Sequence, residues 1–196
     1  MSNTLPPSAP SWRNRYLLMR HGHSQANQQG LIISHPDNGL EAYGLSPLGQ
    51  AQLEQVVSEW HWPTPTRILH SDFLRTTETA ARVARHFGLA MMPDVRLRER
   101  HFGILERQSD QRYPTVWALD AKDPTHSEHG VESVISVAQR LQTVVAELEV
   151  AHRDETILLV SHGDPLQILL TALAKRPLSA HRDRQALTPA SITPLG

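Results

Sequence analysis

Residues 16–27 read Tyr16-Leu17-Leu18-Met19-Arg20-His21-Gly22-His23-Ser24-Gln25-Ala26-Asn27. The first four residues form an apolar run flanked by arginines, which is typical of a short buried β-strand. The residues that follow are small, polar or carry ring nitrogens. In open α/β sheets, ligands lie in the crevice beyond the carboxyl ends of the strands. The stretch therefore predicts a strand that ends at a binding site.

The polar residues after this strand suit a phosphate group. Arg20 has a planar fork of donors that matches phosphate oxygens, and Gly22 lets the backbone approach a ligand closely because it lacks a Cβ atom. Ser24 and Asn27 add neutral donors. His21 has a ring nitrogen that is a competent nucleophile near neutral pH, since the reference pKa of histidine is about 6.5. On these residues alone, chance capping of a strand is an equally good explanation.

Two other predicted strands end in comparable residues. The apolar strand at 156–160 is followed by Ser-His-Gly, which contains His162 and Gly163. The strand at 67–70 leads into a helix with Arg75 in its first turn. The helix dipole disfavours a cation at that end, so the position of Arg75 indicates a nearby anion.

A fourth stretch, residues 97–103, contributes one carboxylate, Glu99, within a run of basic side chains. Taken alone, Glu99 is one charge among several. Together, the four stretches supply two histidines, two arginines and a glutamate at strand ends. These are the groups that phosphoryl transfer to histidine requires.

In this order and spacing, the four motifs resemble the histidine phosphatase superfamily, also called phosphoglycerate mutase-like. The motifs are Arg-His-Gly, Ser-x-x-x-Arg-x-x-x-Thr-Ala, Leu-x-Glu-x-x-Phe-Gly and Ser-His-Gly, and they span residues 17–170. The resemblance implies an α/β fold, a three-layer α/β/α sandwich with a mostly parallel sheet. It also implies a metal-independent phosphomonoesterase that forms a phosphohistidine intermediate on a small phosphorylated metabolite, with no metal and no organic cofactor.

The resemblance also implies roles for individual residues. His21 attacks phosphorus, while Arg20, Arg75 and His162 surround the equatorial oxygens. Glu99 protonates the leaving oxygen and then acts as base on water. That role needs a pKa above the reference of about 4.3, and the basic residues beside Glu99 act in the opposite direction. Further phosphate contacts are expected from Gly22, Ser24, Asn27 and Gly163.

Composition narrows the classes of partner. The 19 basic and 20 acidic residues give a formal net charge of −1, which argues against nucleic acid or an anionic membrane as the main partner. The expected partner is a small phosphate ester, and the oligomeric state stays open. Cysteine is absent, which fits a cytoplasmic protein and excludes thiolate chemistry.

Twelve histidines raise the question of a metal site. The pairs His21-x-His23 and His126-x-x-His129 have no companion carboxylates at ligand spacing. We therefore predict no metal site. A metal-dependent hydrolase remains an alternative that a chelator would reveal.

The chain is long enough for one domain with a sizeable core. Residues 1–14 carry three prolines and lack the cationic start and apolar core of a secretory signal, so we expect a flexible tail. Residues 15–196 are expected to form a single domain of this superfamily, with a variable cap around residues 104–130. A last strand is expected near residues 190–193, where the short C-terminus leaves the sheet edge uncertain.

Hydrophobic spacing predicts several elements within this domain. A helix begins at Pro47 behind a Ser46 cap, and Ser71 or Asp72 caps the helix that Gly88 ends. For the helix that begins at Pro47, the predicted buried stripe is Leu48, Ala51, Val56 and Trp60. For a long helix that ends near Ala151, it is Val134, Val137, Leu141, Val144, Val145 and Leu148.

Two positions depart from the family pattern. His23 stands where glutamate or glutamine is frequent, and Arg107 replaces a frequent glycine. We hypothesise that Arg107 gives the pocket mouth an extra cation, which would favour a substrate with a second anionic group. The roles of His23 and of the cap histidines stay open.

Two other functions remain as alternatives. Residues 99–103 are close to the mutases' motif, but a mutase must keep water from its intermediate. Only about 25 residues separate Glu106 from Gly130, an ordinary long-loop length, whereas the mutases carry a longer insertion, so we favour the phosphatase. A non-catalytic phosphoryl-binding domain would lack a core residue, and all five core positions are filled.

Overall fold

The computed structural model describes residues 12–195. Its strands are β1 (Arg15–Arg20), β2 (Arg67–His70), β3 (Met91–Pro93), β4 (Thr156–Ser161) and β5 (Ile192–Leu195). Its α-helices are α1 (Gln25–Gln29), α2 (Pro36–Gly39), α3 (Pro47–Ser58), α4 (Leu74–Phe87), α5 (Tyr113–Asp120), α6 (Val134–Ala151) and α7 (Gly163–Leu173). Short 3-10 turns occur in the connections between them.

The five strands form one mostly parallel sheet, as predicted. Their order is β3-β2-β4-β1-β5, and only β5 runs antiparallel to its neighbour. Strand β4 lies in the centre, and all six of its residues are buried. Strand β3 lies at one edge of the sheet. Pro93 has no N–H group to donate, and at an edge this loses no hydrogen bond to a neighbouring strand. The last strand is present at the other edge as β5.

Alternate residues of each strand face opposite sides of the sheet. Tyr16 and Leu18 of β1 pack with α6 and α7 on one side. Leu17 and Met19 pack with α3 and α4 on the other side. The predicted three-layer α/β/α sandwich is therefore confirmed, and the near-continuous apolar runs of β1 and β4 reflect burial on both faces.

The buried face of α3 agrees with our prediction only in part: Val56 and Trp60 are half-buried and pack against the core. Leu48 has 54% of its surface exposed and Ala51 is also exposed, whereas the buried side chains are those of Leu53 and Val57. The physical reason is a close contact at Gly49, where an added Cβ would lie 2.0 Å from the carbonyl oxygen of His23. Gly49 therefore lies on the face of α3 that packs against the chain, in line with Leu53 and Val57. By contrast, every residue of the predicted α6 stripe is buried.

Helix α4 begins later than predicted, and no side chain caps it. Its N-cap residue is Phe73, because both expected capping residues have other partners. The Ser71 hydroxyl is hydrogen-bonded to the ring of His162, and the Asp72 carboxylate accepts two hydrogen bonds from Arg98. Gly88 ends the helix in the left-handed conformation, as expected.

A third, smaller core lies under the cap segment, which we define as residues 104–130. Its buried members are Ile32, Phe102, Leu105, Val116 and Val131. This core joins the cap segment to the loop that follows α1. Among the described residues, no helix is both long and apolar enough to cross a membrane.

Most of the expected N-terminal tail, residues 1–11, lies outside the described residues. The end of that segment contacts the domain. The ring of Trp12 packs edge-on against the ring of Tyr16, and the two ring centres are 5.6 Å apart. The Asn14 side chain is buried and donates a hydrogen bond to Glu149 of α6.

Candidate active site

The sheet brings the two histidine motifs together. Strands β1 and β4 are parallel neighbours in which Arg20 pairs with Ser161, so His21 and His162 leave the sheet side by side. Their ring centres are 5.2 Å apart, and both rings are buried. Strand β2 lies on the other side of β4 and leads to Arg75 in the first turn of α4. The site thus forms at the carboxyl edge of the parallel strands, as predicted.

His21 is held as a neutral ring with a defined tautomer. Its Nδ1 lies 2.7 Å from the carbonyl oxygen of Gly22. A carbonyl only accepts, so Nδ1 carries the proton. Its Nε2 accepts a hydrogen bond of 3.2 Å from Arg75 Nε. Burial, followed by the charges of Arg75 and Arg20, lowers the pKa of His21 well below its usual value. His21 Nε2 therefore carries no proton of its own near neutral pH, and the hydrogen bond from Arg75 must give way when Nε2 acts as a nucleophile.

The buried Arg75 and the half-buried Arg20 each have a guanidinium nitrogen that no group among the described residues satisfies. Arg75 Nη2 donates to the carbonyl of Ile33 at 2.9 Å, and Arg20 Nη1 donates to the carbonyl of Leu187 at 2.5 Å. Among residues 12–195, Arg75 Nη1 and Arg20 Nε have no hydrogen-bond partner. Burial lowers the pKa of both arginines. Both side chains line one cavity, so their unused donors suit an anion bound there.

His162 lies behind this cavity. Its Nε2 is hydrogen-bonded to Ser71 Oγ at 2.9 Å, and its Nδ1 lies 3.7 Å from Glu99 Oε2. Burial and the charge of Arg75 lower its pKa. The residues that line the cavity do not include His162, although its ring contacts that of His21. A direct contact between His162 and the phosphoryl group stays a prediction.

Glu99 lines the cavity with a raised pKa. Burial is the largest cause, and it raises the pKa to about 7 even though Arg75 acts in the opposite direction. The backbone amide of Arg100 donates to Glu99 Oε1 at 2.9 Å and also lowers its pKa, but the guanidinium groups of the neighbouring arginines face other carboxylates. Arg98 forms a forked pair with Asp72, and Arg100 forms one with Asp120. The pKa of Glu99 therefore satisfies the requirement for an acid–base group near neutral pH.

The expected phosphate contacts occupy different places. Ser24 and Asn27 line the cavity and cap α1 through reciprocal hydrogen bonds. Gly163 also lines it, and its missing Cβ admits Arg20, whose Nε would lie 3.3 Å from that atom. Gly22 does not line the cavity. Its amide donates to Thr79, so a backbone approach to the ligand at Gly22 stays a prediction.

The tight contact at Gly22 is to the protein itself. A Cβ there would lie 3.1 Å from a side-chain carbon of Leu45 and 3.3 Å from the carbonyl oxygen of Gly49. The glycine therefore allows residues 21–24, which we call the site loop, to pack closely on α3.

The two departures from the family pattern lie outside the cavity. His23 Nδ1 is hydrogen-bonded to Ser46 Oγ at 2.7 Å. Arg107 is exposed, has a φ of +64° and does not line the cavity. The geometry therefore contradicts our hypothesis that Arg107 is a cation at the pocket mouth. A positive φ favours glycine, which explains why a glycine suits this position in relatives.

Two of the surplus histidines are paired with the same carboxylate. His126 Nε2 lies 2.7 Å from Asp120 Oδ1, and His181 Nε2 lies 3.1 Å from Asp120 Oδ2. Within residues 12–195, no group of three or more histidine and carboxylate side chains is arranged to hold a metal ion.

The cavity has a volume of about 280 Å³, and its lining includes residues that the sequence analysis missed. These residues come from α5, α7 and the C-terminal segment, residues 181–191, and they are Tyr113, Trp117, Asp164, Gln167, Arg182 and Leu187. Asp164 could have been found, because it directly follows Ser-His-Gly. No local pattern marks Trp117 or Arg182, whose positions depend on tertiary folding.

Comparison with known proteins places this geometry in context. The family model of the histidine phosphatase superfamily (branch 1) matches residues 16–196. The glucosyl-3-phosphoglycerate phosphatase of Mycobacterium tuberculosis is 30% identical over 177 residues, covering 84% of this chain and 77% of that protein. A Proteus mirabilis protein described as a probable phosphoglycerate mutase is 30% identical over 170 residues, with 84% and 77% covered.

Solved structures give the same result. The native structure of mycobacterial glucosyl-3-phosphoglycerate phosphatase superimposes with a TM-score of 0.77 at 29% identity, covering 92% of this chain and 88% of that one. Its complex with inorganic phosphate gives a TM-score of 0.77 at 28% identity, covering 93% and 89%. The residues that the family model matches, 16–196, include all four motifs quoted above.

Proposed function

This chain belongs to the histidine phosphatase superfamily, and we propose that His21 accepts the phosphoryl group of its substrate. The chain is a phosphomonoester hydrolase of the metal-independent, phosphohistidine type, and it acts on a small phosphorylated metabolite.

In the first step, the Nε2 lone pair of His21 attacks phosphorus and the bond from phosphorus to the ester oxygen breaks. The leaving oxygen takes the proton of Glu99. In the second step, the Glu99 carboxylate removes a proton from water, and the resulting hydroxide attacks phosphorus. The bond from phosphorus to Nε2 then breaks, its electron pair returns to His21, and inorganic phosphate leaves with Glu99 protonated again.

One observation carries this assignment. A neutral His21 Nε2, unused donors of Arg20 and Arg75, and a Glu99 with a pKa of about 7 meet at a single cavity. The arginine donors are fixed before the substrate arrives, so they stabilise the charge on the phosphoryl oxygens with little reorganisation. A carboxyl group with this pKa exists in both protonation states near pH 7, which the two opposite proton transfers need.

The relatives indicate which substrates to examine first. Two of them are named for phosphoglycerate substrates, so we propose a substrate of that size and chemistry. A cytoplasmic location and the lack of nucleic-acid and membrane partners stay predictions. Fractionation of a lysate would test the location.

The decisive experiment measures phosphate release from a panel of phosphomonoesters that includes 3-phosphoglycerate, with and without a chelator. We expect activity that survives the chelator and falls at least about a thousandfold in His21→Ala, because the nucleophile is lost. Rapid quenching with a labelled ester should trap phosphohistidine in the parent protein only. Undiminished release by His21→Ala would contradict the assignment.

The mutase alternative has a specific basis, since one relative is described as a probable phosphoglycerate mutase. Transfer of a labelled phosphoryl group between phosphoglycerates, without release of inorganic phosphate, would favour it. If neither transfer nor release occurs with any ester, the chain is a phosphoryl-binding domain.

A further inference from the structure

One wall of the cavity holds a third arginine that the proposed chemistry does not use. Arg182 lies in the C-terminal segment and lines the cavity together with Trp117 of α5 and Gln167 of α7. The other two lining arginines, Arg20 and Arg75, adjoin His21 and serve the phosphoryl group. Arg182 therefore faces the space that remains for the alcohol part of a substrate.

The guanidinium of Arg182 is held in a fixed orientation. Its central carbon lies 3.7 Å from the ring centre of Trp117. Its Nη1 donates to Gln167 at 2.7 Å and to Asp164 at 3.3 Å. Asp164 is itself held by Trp117 Nε1 at 3.1 Å and by the buried Arg100 at 3.2 Å. A side chain fixed in this way loses little conformational entropy when it binds a ligand.

The opposite edge of this guanidinium is unused. Among residues 12–195, Arg182 Nε and Nη2 have no protein hydrogen-bond partner, since both bonds of the side chain come from Nη1. Two adjacent N–H donors in one plane match the two oxygens of a carboxylate. We propose that Arg182 binds a carboxylate on the alcohol part of the substrate. This proposal rests on the proposed function and specifies its substrate class.

Two other occupants fit the wall less well. A sugar ring could stack on Trp117, but the guanidinium of Arg182 already covers that part of the ring. A second phosphate group would bring two charges close to Asp110 and Asp164, which also line the cavity. Asp164 already forms an ion pair with Arg100. The groups that line the cavity therefore compensate one additional negative charge better than two.

The test compares two ligands that differ mainly at the group in question, 3-phosphoglycerate and glycerol 3-phosphate. Their dissociation constants are measured by calorimetry with the His21→Ala protein, so that neither ligand is consumed. We expect 3-phosphoglycerate to bind about 10- to 100-fold more tightly, the range for charge-assisted hydrogen bonds. Adding Arg182→Met should remove most of this preference and leave the binding of inorganic phosphate within about twofold.

Arg107→Ala is the matched control, because Arg107 is exposed and lies outside the cavity, and it should keep the full preference. The proposal would be overturned if the His21→Ala protein bound 3-phosphoglycerate and glycerol 3-phosphate with equal affinity. It would also be overturned if Arg182→Met lowered the affinity for both ligands by the same factor. If the methionine variant does not fold, Arg182→Gln gives the same comparison. Hydrolysis of p-nitrophenyl phosphate by the parent protein tests the proposed function separately, because that ester carries no carboxylate.

Discussion

At the scale of single residues, the site depends on two titratable groups whose pKa values move in opposite directions. Burial lowers the pKa of His21, so the ring stays neutral. Burial also raises the pKa of Glu99 to about 7, so the carboxyl group keeps its proton at mildly acidic pH. The same loss of solvent disfavours the charged form in both cases. A nucleophile and an acid are therefore ready at the same pH.

This arrangement predicts the pH dependence of the first step. The kcat/KM for an alkyl phosphate should fall about tenfold per pH unit well above pH 7, because only protonated Glu99 can supply the leaving-group proton. A parallel fall is not expected below pH 6 from His21, whose pKa is lowered. Glu99→Gln should reduce kcat/KM by about 10²- to 10⁴-fold and remove the alkaline limb. Steady-state kinetics between pH 5 and 9 check this.

The control is p-nitrophenyl phosphate, whose leaving group needs little help from an acid. Its kcat/KM should lose much less in Glu99→Gln than that of the alkyl ester. An alkaline limb that persists in Glu99→Gln would assign the titration to another group.

The sequence identified these residues because each belongs to a motif with a chemical reason for its composition. It could not reveal the raised pKa of Glu99, because the largest cause is burial in the folded protein. Arg98 and Arg100 are adjacent to Glu99 in sequence and turn toward other carboxylates in space. Arg182 was missed for a similar reason, since it reaches the cavity through the packing of a segment that has no motif.

At the scale of elements, α3 supports the site loop through backbone contacts as well as through the side chains of Ser46 and Gln52. The backbone of Gly49 lies against the carbonyl of His23, and the amide of Ser46 donates to the same carbonyl at 2.9 Å. The end of a helix thus fixes the backbone two residues after the nucleophile. Precise placement of a nucleophile has large kinetic consequences.

We expect Gly49→Ala to damage both stability and activity. The added Cβ would lie 2.0 Å from the His23 carbonyl oxygen, so the site loop or α3 must move. Overpacking of this kind costs about 1–3 kcal/mol of unfolding free energy. A displacement of His21 of about 1 Å should lower kcat up to about a hundredfold. Urea unfolding and kcat measurements are the tests.

Gly88→Ala is the matched control in α4. Its φ is +66°, and an added Cβ meets no atom within 4 Å. The substitution should cost about 1–2 kcal/mol from backbone strain alone and leave kcat unchanged. Equal effects of the two substitutions on kcat would show that the α3 contact does not position the nucleophile.

Element prediction succeeded where one local pattern was sufficient. Strand β4 and helix α6 have strong apolar patterns, and tertiary contacts do not change them. The full buried face of α3 could not be predicted, because its alternating apolar and small residues fit more than one face and the close contact of Gly49 with the His23 carbonyl is a tertiary contact. The start of α4 was also missed, since Ser71 and Asp72 bond to His162 and Arg98 instead of the helix end.

At the scale of the whole molecule, one buried charge cluster joins the cap segment to the rest of the domain. Asp120 at the end of α5 accepts two hydrogen bonds from Arg100, and it contacts His126 and His181. The side chains of Arg100, Asp120 and His181 are fully buried. Asp164 of α7 completes the cluster through Arg100. Cap segment, C-terminal segment and α7 therefore meet at a single carboxylate.

Asp120→Asn should destabilise the protein by up to about 3–5 kcal/mol, the cost of removing one partner of a buried ion pair, because Arg100 keeps only Asp164 as a carboxylate partner. Burial raises the pKa of Asp120, but hydrogen bonds from Arg100 and His181 outweigh burial and hold it well below its usual value. A lowered pKa gives stability above the unfolded pKa of about 3.9 that is lost as pH falls. The difference in unfolding free energy between parent and variant should therefore shrink below about pH 4. Urea unfolding at several pH values measures this difference.

Glu147→Gln supplies the comparison, because Glu147 pairs with Arg96 at 2.7 Å while 60% of its side chain is exposed. An exposed pair contributes at most about 1 kcal/mol. A loss in Asp120→Asn no larger than that would show that the buried cluster does not hold the cap segment in place.

The buried arginines of the site have a consequence for the lifetime of the protein. Their guanidinium groups lose water on folding, and the protein returns only some of the lost hydrogen bonds. An anion that binds there adds about 2.7 kcal/mol of unfolding free energy at a concentration a hundredfold above its Kd. Resistance to heat and proteases therefore reports how much phosphate or substrate surrounds the protein. When phosphate and substrate are scarce, the enzyme should unfold and be degraded sooner.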